Sequence, residues 1–463
     1  MKKETNANNP SRRKAVISFF SCFAVAVGLT IFIKEPSFTD SQVYVLFLLF
    51  FAIGLWLTEA IPAFSVSLLI IAYLVFALGN KHINSAPENI APYAQTLSSS
   101  VIWLMLGGFF LSSAMTKTKL DETLFKFTLK VSGSKPRSLL IGLMATTMFA
   151  SMLMSNTATT AMVIAAVTPL ITSLGKQSVV AKALLLGIAI AATTGGMGTI
   201  IGTPSNAIAV GALENIGIHI DFIQWMKYGL PLALFLTAIA CVVLMLIYIK
   251  DNTSIDLDFL QKKVEKEPSE GFNIRRKIVI AVILVTVALW LTTSLHGLTV
   301  ASICAVPLVI LTLTGVLEGK DVQQLPWDTL LLVAGGLSLG LAMEQTGLLT
   351  FYANKLLIME VNSYVLIFVL AFATMLFSNI MSNTATSTVM IPLGIAILVA
   401  LKLEITLIIA LAASTAMFLP VSTPPNAIVF STGLIQQMDF RIGGILIGLA
   451  GPVLIILWVM LLS

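Results

Sequence analysis

Charge is scarce in this sequence. Only 11% of its 463 residues are Asp, Glu, Lys or Arg, whereas 57% are hydrophobic, and the mean hydropathy is +0.97. A soluble globular domain carries about 25% charged residues, so that class is excluded and most of the chain belongs in lipid. Histidine is equally sparse: His82, His219 and His296 all fall near the expected outer ends of spans. His-Glu-x-x-His does not occur, and with histidine this sparse an intramembrane enzyme would lack its base and metal ligands. Nothing resembles the ring of charges or the filter sequence of a channel. Cys22, Cys241 and Cys304 stand singly in apolar segments, which excludes a disulfide framework or metal cluster and makes them core residues.

What the chain does have is apolar length. About 20 mostly apolar residues cross a bilayer as a helix, and such stretches recur at 15–33, 42–58, 62–79, 99–115, 181–213, 228–249, 277–295, 298–316, 329–345, 404–438 and 442–462. The expectation is an all-α polytopic membrane protein with about eleven transmembrane helices and two further hairpins. The run from Ala15 to Ile33 is long for a signal core and has no clear small-x-small cleavage site, so it reads as the first span. The net charge of +5 reads as topology. With the N-terminus inside, 22 of the 27 basic residues fall on the cytoplasmic side, leaving Lys34, Lys81, Lys227, Lys355 and Lys402 outside. The expected location is the inner membrane, with an extracytoplasmic C-terminus.

Two segments are too long for one ordinary crossing. Ala183 to Leu213 and Ile405 to Met438 carry no charge, yet each is interrupted, by Gly-Thr-Pro-Ser-Asn at 202–206 and by Ser-Thr-Pro-Pro-Asn at 422–426. Proline removes a donor and disfavours helix in the preceding residue, which predicts two helices broken within the membrane. Ser138 to Gly175 and Asn362 to Leu401 are uncharged throughout, with Ser-Asn-Thr near each centre. The arm from Ser138 to Met154 is at the lower limit for a crossing, and neither turn holds a charge. Both segments are therefore expected to be re-entrant hairpins, which need protein or a wet cavity around their tips.

An internal repeat organises these parts. Leu55-Trp56-Leu57-Thr58 recurs as Leu289-Trp290-Leu291-Thr292, Gly107-Gly108 as Gly335-Gly336, Ser155–Thr159 as Ser382–Thr386, and Thr203-Pro204-Ser205-Asn206 as Thr423-Pro424-Pro425-Asn426, in the same order. The expected layout is a tail and first span at 1–41, a first repeat at 42–249 with hairpin 138–175 and broken helix 181–213, a cytoplasmic linker at 250–276, and a second repeat at 277–463 with hairpin 362–401 and broken helix 404–438. Each half holds five crossings and one hairpin, and the odd count turns the second half upside down. Inverted repeats of this kind build the site of a secondary transporter where discontinuous helices meet.

Helix N-termini at such breaks favour an anion, and freed carbonyls suit a hard cation. Ser, Asn and Thr add neutral donors and acceptors without burying a charge. A lone Ser-Asn-Thr would be a helix N-cap; its duplication at matching positions points to ligand contact. Asn206 and Asn426 could equally be caps that stabilise the breaks, and the Gly-Gly pairs read as close helix packing. Glu59 reads as an interfacial charge at a helix end, Lys117 to Arg137 as an amphipathic surface helix with Phe125, Phe127 and Leu129 interleaved, and Lys250 to Arg276 as a solvated linker.

With SNT at 155 and 382, GTPSN at 202, STPPNAIVF at 422 and LWLTEAIP at 55, nearly the whole chain resembles the divalent anion:sodium symporter family of di- and tricarboxylate carriers. The resemblance implies a homodimer with a scaffold domain and an elevator-like transport domain that contains both hairpins, both broken helices and the spans that follow them. It implies substrate contacts at Asn156, Thr157, Thr203, Pro204, Asn383, Thr384, Thr423 and Pro424. One sodium site would use Ser151, Ser155, Asn156 and Gly202, the other Ser378, Asn383 and Ser422. At 204–205 this chain has Pro-Ser where many relatives have Pro-Pro. The substrate class implied is a C4 or C5 dicarboxylate such as succinate, malate, fumarate or 2-oxoglutarate, with Na+ as the coupling ion. The family also contains sodium-independent dicarboxylate exchangers, and the residues leave symport and exchange both open.

Overall fold

The computed structural model describes residues 10–85, 87–175, 178–250, 254–255, 270–358 and 362–463, and among these every regular element is a helix. Lys2, Lys3, Lys176 and most of the 250–276 linker lie outside the described residues. Among the described residues eight helices are long and apolar enough to cross a membrane: those starting at Arg13, Asp40, Ala91, Asn156, Val179, Phe222, Trp327 and Gln437. The shorter apolar helices Ala63–Gly79, Val300–Leu313 and Ser363–Ser378 fall at other expected spans or hairpin arms. Between Asn383–Ile397 and Val399–Ala413 the axis turns by 115°, so the chain doubles back there and does not continue as one rod.

The long uncharged segments resolve as their proline and polar residues demand. The first hairpin has arms Pro136–Ser151 and Asn156–Leu174, the second Ser363–Ser378 and Asn383–Ile397. Each tip ends in a serine N-cap: Ser155 Oγ accepts from the Ala158 N–H at 3.2 Å and Ser382 Oγ from the Ala385 N–H at 3.1 Å. The first broken helix comprises Val179–Gly196 and Pro204–Asn215, the second Lys402–Ala413 and Pro424–Ser431, with proline at the first helical position after each break.

Packing crosses between the halves. Trp327–Gln345 lies along Ala63–Gly79, while Ser100–Lys117 lies along Val300–Leu313. The Gly-Gly pairs permit these approaches: a Cβ on Gly335 would fall 2.3 Å from Ser67 Cβ, and one on Gly107 would fall 2.7 Å from Cys304 Cβ. Pro204–Asn215 packs on the second hairpin, and Pro424–Ser431 packs on the first.

Several boundaries differ from the sequence reading. The crossing expected at 228–249 starts at Phe222, because Asp221 and Gln224 form a capping box. The span expected at 298–316 is two short helices, Val300–Ile303 and Ala305–Leu313. Leu348–Ile358 is an additional helix in what read as a connection. It stands where Leu120–Ser132, the amphipathic helix expected from the basic stretch, stands in the first half. There Phe125 and Leu129 are buried and Phe127 faces outward. Near the C-terminus, Gly444–Leu449 is a π-turn whose Gly444 and Gly448 lie against Phe418 in the second break.

Candidate functional site

At the first hairpin tip, Ser151 Oγ lies 2.7 Å from the Asn156 side-chain amide and donates to the Ala192 carbonyl at 2.7 Å. A hydroxyl has one proton to give, so the proton spent on Ala192 cannot also serve Asn156. With its nitrogen toward Ser151, Asn156 donates to Ser151 Oγ at 2.7 Å, to Ala192 O at 3.0 Å and to Gly202 O at 3.3 Å. With its oxygen in that place, four oxygens converge on one proton. That is the donor set of a hard monovalent cation, all neutral and all oxygen.

The second tip repeats the arrangement. Ser378 Oγ lies 2.7 Å from Asn383 Oδ1 and donates to the Ala413 carbonyl at 2.8 Å. Ser378 and Ser151 are fully buried, while Asn156 and Asn383 are half-buried at the first position of their helices. Close backbone approach confines the first cluster, since a Cβ on Gly196 would fall 2.4 Å from the Asn156 amide and one on Gly202 2.4 Å from Gly196 O.

The structure brings together Ser151, Asn156 and Gly202 in one cluster and Ser378 and Asn383 in the other. Ser155 Oγ is engaged in its N-cap. Ser422 Oγ accepts from the Leu419 N–H at 2.9 Å and donates to Asn379 Oδ1 at 2.7 Å, so it belongs to a separate network at the second tip. Asn379, which sequence reasoning missed, also accepts from the Phe418 N–H at 2.9 Å and pins the tip to the break. In the first half the same tie is made by Thr199 Oγ1, which donates to the Met152 carbonyl at 2.5 Å. The Ala192 and Ala413 carbonyls were missed too; only their matching positions in the repeat could have found them.

The remaining expected contacts surround these clusters. Thr203 and Thr423 are buried immediately before the helices they start, Pro204 is half-buried and Pro424 exposed, and Thr157 is more exposed than Thr384. Asn206 Nδ2 donates to Gly196 O at 2.9 Å and Thr199 O at 2.8 Å, and Asn426 Nδ2 to Leu419 O at 3.0 Å, so both asparagines tie off carbonyls released by the breaks. Glu59 is an exposed left-handed residue (φ 49°) closing the helix Asp40–Thr58, as an end charge should be. The half-buried Glu344, at the C-terminal end of Trp327–Gln345, lines a cavity with Asn215, Pro392 and Ile395, away from both clusters.

The citrate transporter family matches residues 53–413, which takes in both hairpins and the first arm of the second broken helix. The chain belongs to that family. It is 30% identical to a sodium-dependent dicarboxylate transporter, SdcS, of Staphylococcus saprophyticus, over 93% of this chain and 88% of that protein. SdcS of Staphylococcus aureus strain USA300 is 29% identical over 96% of this chain and 92% of its own length. An uncharacterized transporter of Haemophilus influenzae is 30% identical over 96% of both. Among solved structures, the fold is shared with MtrF of Neisseria gonorrhoeae (TM-score 0.56, 12% identity, 88% of this chain and 96% of that one). It is also shared with the YdaH transporter of Alcanivorax borkumensis (TM-score 0.57, 11% identity, 89% and 98%). At those identities the likeness speaks for fold alone. Family, relatives and apolar helices together make this a multi-pass membrane transporter of the secondary type, like those of the divalent anion:sodium symporters.

Proposed function

We propose that this chain is a sodium-coupled symporter of C4 and C5 dicarboxylates, succinate, malate, fumarate and 2-oxoglutarate among them. The observation that carries the reading is the duplicated cluster: Ser151, Asn156 and the Ala192 carbonyl at one tip, Ser378, Asn383 and the Ala413 carbonyl at the other. Two donor-rich helix N-termini, one per half, suit a short molecule with an anionic group at each end. Asn156, Thr157, Asn383 and Thr384, with Thr203, Pro204, Thr423 and Pro424 behind them, would form its contacts.

The four uncharged segments contain no Lys, Arg or His to balance a dianion. A helix N-terminus supplies only about half a unit charge, so bound cations are needed for the rest. Ser151, Asn156 and Gly202 would hold one sodium ion and Ser378 and Asn383 a second, joined by the two alanine carbonyls, with Ser155 and Ser422 close behind. The names of the SdcS relatives, which specify sodium and dicarboxylates, support the same assignment.

The movement we infer is an elevator. Hairpins, broken helices and the spans that follow them form one body, the other spans the scaffold, and the two halves are inverted repeats with about eleven crossings in all. Glycines line the boundary between these bodies: Gly108 faces Ile201, Gly211 faces Val101 and Leu337, Gly336 faces Thr388 and Gly340 faces Pro392. Small residues of this kind give a smooth surface for sliding. The assembly is a homodimer in the inner membrane, N-terminus inside and C-terminus outside. A panel of labelled dicarboxylates, citrate and sulfate, competed against one another in proteoliposomes, tests the substrate class. Succinate and its C4 and C5 analogues should displace each other, and a protein that no dicarboxylate inhibits would refute the assignment.

A further inference from the structure

The two halves differ in one respect that the duplicated clusters do not explain. In the first half two hydroxyls beside the cluster are satisfied by their own helices: Thr160 Oγ1 donates to Asn156 O at 2.8 Å and Thr193 Oγ1 to Ala189 O at 3.0 Å. The repeat matches these residues to Ser387 and Ser414. Both serines are fully buried, and their hydroxyls have no hydrogen-bond partner. Ser205, where the second half has Pro425, is likewise fully buried and unpartnered. A buried hydroxyl without a partner is costly, and these three stand on, or at the end of, helices that pack on one another.

Helix register places them together. Gly394 abuts Ile405 and Ile409, and nearer the tip Ser378, itself bonded to Asn383, bonds the Ala413 carbonyl. Ser387 is four residues from Asn383 and seven from Gly394, hence on the same stripe of its helix, facing the end of Lys402–Ala413 where Ser414 follows. Pro204–Asn215 packs against both of these helices. Its Ile208 and Ala212 share a cavity with Pro392 and Ile395. One turn back from Ile208 and Pro392 stand Ser205 and Thr388, and Ser387 is the residue before Thr388.

We propose that Ser205, Ser387 and Ser414 form a further site for a small monovalent cation, between the first broken helix and the second hairpin. Three neutral hydroxyl oxygens in a buried, uncharged setting suit an alkali cation and offer nothing to an anion with no positive partner. The site deepens the sodium-coupled reading and rests on it for the identity of the ion. It breaks the symmetry of the halves, because the position opposite Ser205 is a proline that has no hydroxyl.

The test uses purified full-length protein and thermal melting in NaCl, LiCl and KCl against choline chloride. Asn156→Ala with Asn383→Ala disables both tip clusters, and sodium or lithium should still raise the melting temperature of that protein. Adding Ser205→Ala, Ser387→Ala and Ser414→Ala should remove the remaining shift. In the otherwise wild-type chain, Ser387→Ala alone should lower the sodium Hill coefficient of uptake by about one. Because alanine removes an unpartnered buried hydroxyl, melting in choline should stay level or rise, which separates ligand loss from misfolding. An unchanged cation shift after the three serine substitutions, or no shift in the double asparagine variant, overturns the site. Sodium-independent uptake by the wild-type chain would instead overturn the coupling, while a cation shift lost with the serines would still uphold the site.

Discussion

Ser151 and Asn156 meet at 2.7 Å across the first hairpin tip, and Ser378 and Asn383 meet at the same distance across the second. In both places the serine also holds a carbonyl near the end of a broken helix's first arm, so tip, break and asparagine amide are mechanically one unit. Asn156→Ala and Asn383→Ala should therefore each cut uptake at least tenfold. Losing hydrogen bonds to a charged ligand costs about 1.5–3 kcal/mol, or roughly 10- to 100-fold. Each variant should remain monodisperse, since neither asparagine fills the core. Near-normal uptake by either one would remove the paired-tip assignment.

Gly335 tests the packing that sets the frame. Gly335→Ala would drive a methyl into Ser67 at 2.3 Å, against backbone as well as side chain. Overpacking of this kind costs about 1–3 kcal/mol. The melting temperature should fall, whereas Gly28→Ala, with nothing within 4 Å of its added carbon, should leave it within error.

Movement can be tested at Ser100 and Glu214, whose side chains hydrogen-bond from Ser100–Lys117 to Pro204–Asn215 across the boundary proposed between scaffold and transport body. A cysteine pair at these positions, once cross-linked, should stop uptake while labelled dicarboxylate still binds. Uptake that survives full cross-linking would mean a local gate rather than an elevator. Single cysteines at Lys130 and His82 should label from the cytoplasm and from outside respectively, which checks the orientation in the same preparation.

At the end of Ser100–Lys117, the Lys117 ammonium lies 2.6 Å from Asp321. Burial works to raise the Asp321 carboxyl, but the Lys117 hydrogen bond and the Glu318 N–H outweigh it and hold the carboxyl below its ordinary value. A depressed carboxyl contributes stability above its unfolded value and loses it as pH falls through the folded one. Lys117→Met should therefore destabilise by up to about 1 kcal/mol at pH 7. The difference from wild type should vanish in acid melts; a difference that grows there would contradict the ion pair.

The hairpins and breaks were legible in the sequence because proline, asparagine and serine have direct backbone consequences. Ser155 and Ser382 cap as their type predicts, and Pro204 and Pro424 begin helices. The carbonyls of Ala192 and Ala413 were not legible, since any residue supplies a carbonyl and only the fold aims it. Asn379 escaped notice because its counterpart in the repeat is Met152, whose backbone oxygen does the equivalent work. Leu348–Ile358 was hidden by its length, only 11 residues, too short to register as a span and placed beside one that does.

The central claim is that cations at the paired tips balance and drive a dianion. Uptake of labelled succinate into proteoliposomes should be measured with and without an inward sodium gradient, and with and without unlabelled dicarboxylate inside. The account predicts uptake into empty vesicles that depends on the sodium gradient and needs no internal substrate. Uptake that ignores sodium and requires internal dicarboxylate would contradict it and make the protein an exchanger.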